Sequence, residues 1–355
     1  MNPWEWLWQF EEDAVLSGDR ERLRLAQIYV EAHRISNDNP AAKLALYEIG
    51  RDLATQLQEP WWELFYEHWA IEVLLYGLQK PKIALDRVVR AVVEARKPQY
   101  DAFPQRTDLH LNLIGAYMGI DPIGYEAKLR EAFAHIKIEC DYAVEKQAYH
   151  AQLWGYFLEM TRSESAVEAA WDYLALAEAA NSEHFQWDAL HLLCLCLFRF
   201  DLETAHLELE ELASFGEEVA RRESQNRGVA AFLMWRALAA RWNGDETGAA
   251  RWYRRAWETQ KRSAPPQIDV HVAAIAWHRA GGDDLGALRI CQQSLRILRR
   301  HELHFHEAQR RVEKCEILAA MGRDLARELK RLERVAQKLP SKAFWESEIL
   351  RLKAI

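Results

Sequence analysis

The sequence predicts an all-α fold, a right-handed superhelix of about seven to eight antiparallel helix hairpins. Three observations carry this. Gly and Pro number only 15 and 10 in 355 residues, against roughly 12 % together in average proteins, so the breakers that a turn-rich β fold needs are missing. Turn signals recur with a step near 40 residues. An alanine recurs at one depth after each turn. The hydrophobic half of the composition excludes a disordered chain, and no apolar run approaches the ~20 residues that span a bilayer.

The first 59 residues read as an N-terminal cap of three helices, near 4–16, 20–36 and 41–58. Trp4, Trp6 and Trp8 cannot share one face of the first helix, because successive residues step by about 100°. At least one ring is therefore expected to stay exposed in a lone monomer, where it could dock on the first hairpin or on a second subunit.

Residues 60–338 read as a repeat array. Interhelical turns at Lys80, Asp121, Arg162, Asp201, Gly244, Asp283 and Arg323 are separated by 41, 41, 39, 43, 39 and 40 residues. Ala84, Ala127, Ala166, Ala205, Ala249, Ala287 and Ala326 follow them. Two antiparallel helices approach closely only where one lacks bulk, and larger neighbours then fill the groove beside the contact.

The unit at 225–263 shows the pattern best. Residues 229–242 are apolar on more than one face, as in a helix buried between neighbours. Asn243-Gly244 ends that helix, since Gly adopts the left-handed conformation cheaply, and Asp245 suits the N-cap of the next. Ala249, Trp252, Tyr253, Ala256 and Trp257 then recur at helical spacing, opposite Arg251, Arg254 and Arg255. The last unit departs from the pattern, with Lys330 and Glu333 where packing residues belong. It reads as a polar cap, closed by a helix over 342–352 within a C-terminal segment 339–355.

Gly244-Asp245-x-x-x-Ala249-x-x-x-Tyr253-x-x-Ala256 resembles the second half of a tetratricopeptide repeat. Gly282-Asp283-x-x-x-Ala287 is a looser copy, and Leu113-Ile114-Gly115-Ala116-Tyr117 resembles the first-helix signature. The period near 40, rather than 34, matches long-helix arrays of this family such as those of bacterial signal-sensing regulators. The resemblance implies a concave wall, lined by the first helix of each pair, that receives a peptide or protein segment. Counting back from each turn places Tyr66, Trp69, Tyr76, Asn112, Trp187, Arg241, Trp242 and Arg279 on that wall. Aromatic and Arg side chains are the types that carry hot-spot energy.

Other motifs carry less. His301, His304 and His306 miss the i, i+4 spacing of a helical zinc site, because position 305 is Phe. No phosphate-binding Gly loop or nucleophile elbow occurs. No catalytic residue, metal or cofactor is expected, and the chain reads as a non-enzyme. The five scattered cysteines, Cys140, Cys194, Cys196, Cys291 and Cys315, read as reduced thiols of a cytoplasmic protein.

Residues 241–355 hold 23 Lys+Arg against 15 Asp+Glu, and the remainder 23 against 39. The stripe Arg327, Arg331, Arg334 and Lys338 has no aromatic neighbour on which bases could stack. Nucleic acid is therefore not the expected partner, although the basic third is where it would bind. The expected function is a non-catalytic interaction scaffold. The alternative is a peptide- or ligand-sensing regulator that sequesters a partner.

Overall fold

The computed structural model describes residues 4–35, 39–139, 144–223, 225–262 and 268–355. Among them are eighteen α-helices and no strand. The chain forms two compact units, one of Met1–Gly119 with Ala127–Cys140, the other of Ile120–Glu126 with Asp141–Ile355.

The first unit begins with α1 (Glu5–Ser17), α2 (Arg20–Arg34) and α3 (Pro40–Leu57). Gly18 ends α1 with φ 70°, and Asp19 caps α2 by accepting from the backbone N–H groups of Glu21 and Arg22, both at 3.1 Å. Pro at the first helical position starts α3, α4 (Pro60–Glu72) and α5 (Pro81–Glu94), where its missing N–H costs nothing. A π-helical turn, Val73–Gly77, extends α4. The remaining pair is α6 (Arg106–Ile120) and α7 (Glu126–Glu139).

Trp4, the N-cap of α1, and Trp6 and Trp8 within it divide, though not by helical phase, since Trp4 and Trp8 stand only about 40° apart around the axis. Trp4 stacks between Tyr29 and Trp69 at 6.4 and 6.5 Å, and Trp6 meets Trp61, Trp62, Phe65 and Phe103 edge-on. Trp8 is left 60 % exposed.

The second unit is a run of hairpins. They are α8 (Val144–Met160) with α9 (Ser165–Ala179), α10 (Glu183–Phe200) with α11 (Leu202–Arg222), and α12 (Asn226–Trp242) with α13 (Glu246–Gln260). Then follow α14 (Ile268–Ala280) with α15 (Asp284–Arg300), α16 (His304–Ala320) with α17 (Ala326–Ala336), and the single helix α18 (Lys342–Lys353). Every turn read from the sequence falls between two helices. Asp245 and Asp283 accept from the N–H groups of Gly248 and Gly286 at 2.8 Å, as expected of N-caps. Within this unit, α10 packs on α8 and α12, and α12 packs on α14, so these first helices form one layer.

Five of the seven phased alanines, Ala84, Ala166, Ala205, Ala249 and Ala287, are fully buried. Ala127 and Ala326 are exposed, which corrects the expectation of seven. The buried stripe of α7 starts at Leu129 and continues through Ala132, Phe133 and Ile136. Ala127 stands about 200° round from Leu129. In α17 the stripe is Leu329, Leu332, Val335 and Ala336, packed with Trp345, Ile349 and Leu352 of α18. The last hairpin therefore has a full apolar core, displaced in phase, rather than a degenerate polar face.

Close approach is also arranged by glycine. A Cβ at Gly216 of α11 would lie 2.2 Å from the Phe232 ring of α12. Residues far apart in the sequence meet at the end of this unit. Asp121, fully buried, accepts from the Ser341 N–H and hydroxyl at 2.7 and 2.8 Å and from the Gly124 N–H at 3.0 Å.

Candidate functional site

In the second unit, polar side chains of the first helices meet one another in a continuous seam. The Gln152 amide of α8 donates to Asp188 of α10. Arg199 of α10 pairs with Glu159 of α8 at 2.6 Å. The Trp235 indole N–H of α12 donates to Nδ1 of His191 at 3.4 Å, and Nε2 of His191 stands 3.1 Å from Asp269 of α14. An indole can only donate, so Nδ1 of His191 accepts and Nε2 carries the proton toward Asp269.

His191 and Asp269 reach each other past α12, so polar side chains of α10, α12 and α14 converge on one side of the layer.

Electrostatics along the seam are uneven. Burial raises the carboxyl of Glu159, against the pull of Arg199. Burial also raises Asp188, opposed by Arg227, His184 and His191 and by the Gln152 hydrogen bond. For Asp269, burial is overcome by the His191 hydrogen bond and by the charges of His191, His306 and Arg199, so its value falls. Burial lowers His306, against Asp269, and lifts the Tyr156 phenol well above its ordinary value. Asp188 keeps part of its surface open, and no cation among the described residues lies within ion-pair distance of it.

The residues read from the sequence have several fates. Tyr66 is fully buried and donates to the Leu25 carbonyl, with its ring against Gly50, within the core of the first unit. Asn112, also buried, donates to Nδ1 of His68 at 2.9 Å. Trp69 lies in the aromatic stack beside His68, with ring centroids 5.1 Å apart. Near them Glu72 sits 3.9 Å from His68, and burial, with the charge of Asp108, pushes its carboxyl up to about 8. Tyr76 is exposed.

In the second unit Trp187 is buried against Gly228, with the Arg227 guanidinium over its ring at 5.7 Å, so it is a core residue beside Asp188. Arg241 lies over Trp277 at 3.5 Å and donates to its carbonyl at 2.9 Å, while Trp242 stacks on Phe198. Arg279 is exposed at the end of α14. Large rings counted back from a turn fill the space between helices, since that is where bulk is needed. The seam residues went unread. Their signal is a polar side chain at helical spacing inside an otherwise apolar helix, as with Asp188 and His191 in Trp187-Asp188-Ala189-Leu190-His191-Leu192-Leu193.

The described cysteines are all buried. Burial pushes the thiols of Cys194 and Cys196 far up, that of Cys291 to about 12 and that of Cys315 to about 11, so none is a thiolate at neutral pH. Cys140 lies outside the described residues. No group of His, Cys, Asp and Glu able to hold a metal occurs among the described residues, and no described helix is long and apolar enough to cross a membrane.

No family model matches this sequence, and neither does any curated protein. Among solved structures the chain is similar to a Rap protein crystallised in complex with Competence and Sporulation Factor. The superposition gives a TM-score of 0.57 at 10 % identity and covers 95 % of this chain and 98 % of that one. At that identity the likeness speaks for fold alone, and the chain is accordingly an all-α helical-repeat protein with the fold of the Rap structure.

Proposed function

We propose that the protein is a non-catalytic helical-repeat binder that takes an extended peptide or protein segment along the concave seam of its second unit. The observation that carries this reading is Asp188. It is a half-buried carboxyl on the wall that accepts from the Gln152 amide and has no cation within ion-pair distance among the described residues, while the charges of Arg227, His184 and His191 act on it from farther off. A basic side chain of a bound segment completes it. The wall is preorganised by Arg199–Glu159 and His191–Asp269, so ordering costs fall mainly on the ligand.

A regulatory reading, in which binding on the wall alters sequestration of a partner, draws support from the similar Rap protein having been solved with Competence and Sporulation Factor. Fluorescence anisotropy with labelled pentapeptides carrying one Arg, Lys, Gln or Glu tests the wall. Basic peptides should bind, and Asp188→Asn should weaken them about tenfold while leaving Gln peptides unchanged. Equal binding of all four by both proteins would remove the reading.

A further inference from the structure

Helix α15 has a strongly basic solvent face. After Asp284 it holds no acidic residue and no aromatic ring, and Arg289, Arg296, Arg299 and Arg300 are all exposed. None of these four guanidinium groups lies within ion-pair distance of a carboxylate among the described residues, although the charge of Arg289 helps to lower the Asp283 carboxyl. Arg299 donates from Nε to the Leu295 carbonyl of its own helix. Arg289, Arg296 and Arg300 fall within about 40° of one another over some 16 Å of helix axis. The preceding and following second helices add the exposed Arg254 and Lys330, also without an acidic partner among the described residues.

We infer that this face of α15 docks the phosphate backbone of a nucleic-acid duplex, a role separate from the peptide reading and not resting on it. Guanidinium groups match phosphate oxygens two at a time, which ammonium groups cannot do. A duplex presents about one negative charge per 1.7 Å of its axis, so a row of arginines of this length meets several phosphates in any register. Carboxylates on a folded acidic protein seldom keep that density. The absence of aromatic side chains on α15 disfavours single strands, whose bases need a stacking platform. A lipid surface is disfavoured too, because the row holds one exposed apolar residue, Leu285, and an interfacial helix needs a broad apolar face. The chain's net charge of −8 does not oppose local binding, since exposed charges beyond about 10 Å are screened at 0.1 M salt.

The test is anisotropy of a labelled DNA duplex of about 24 base pairs, titrated with the full chain at 50 and 200 mM salt. Affinity should fall at least tenfold between the two salts. Arg289→Gln/Arg296→Gln/Arg300→Gln should weaken binding tenfold or more at 50 mM and flatten the salt slope by about two to three, with helicity and Tm retained. The matching triple Lys variant, which keeps the charge, should retain most of the binding. Poly-L-glutamate and phosphatidylglycerol vesicles serve as the competing polyanions. Absence of duplex binding at 50 mM salt, a triple Gln variant that binds like the parent, or either competitor bound as tightly as the duplex would overturn the assignment.

Discussion

Nε2 of His191 on α10 and Oδ2 of Asp269 on α14 stand 3.1 Å apart, although α12 lies between their helices in the array and packs on both. The pair ties three hairpins together from one side of the layer. Asp269→Ala should leave the buried Nε2–H unpaired and cost about 1–3 kcal/mol, measured by urea unfolding.

The same pair sets an acid dependence. The folded value of Asp269 lies below its ordinary 3.8, so its stabilisation is complete above that value and is lost as pH falls through the folded one. Asp269→Asn keeps an acceptor but cannot titrate. Its Tm should therefore fall less steeply than that of the parent below pH 4.

Glu72 works in the opposite sense. Its folded value of about 8 lies above the ordinary 4.5. The stability of the neutral form is present below 4.5 and is lost as pH rises toward 8, because the unfolded chain releases the proton first. Glu72→Gln should raise Tm at pH 9 by several degrees and change it little at pH 5. Equal shifts at both pH values would show that Glu72 does not titrate in this range.

Gly216→Ala places a methyl group against the Phe232 ring. Overpacking of this kind costs about 1–3 kcal/mol, and chemical denaturation should show it without loss of helicity in the native baseline.

The rings of α1 separate core from surface. Trp6→Ala removes edge contacts to four aromatic residues and should cost about 3 kcal/mol or more. Trp8→Ala, at a ring largely in solvent, should change stability by less than about 0.5 kcal/mol. Comparable losses from the two would contradict the packing of α1.

Helix positions and hairpin pairing were legible in the sequence because their causes are local. Pro60 and Pro81 start helices, Asp245 and Asp283 cap them, Gly244 and Gly282 turn the chain, and a buried alanine such as Ala249 marks close approach. Each signal acts within a few residues, so it survives without knowledge of the rest of the chain. The wall was not legible. Trp187 was a candidate for it and lies in the core, whereas Asp188, its neighbour, faces the seam. Which of two adjacent side chains points inward depends on helix rotation, and that is set by packing against both flanking hairpins. His191 reaching Asp269, 78 residues on, and Asp121 reaching Ser341, 220 residues on, depend on packing summed over several hairpins. Small rotations at each step add up, and no local pattern encodes their total.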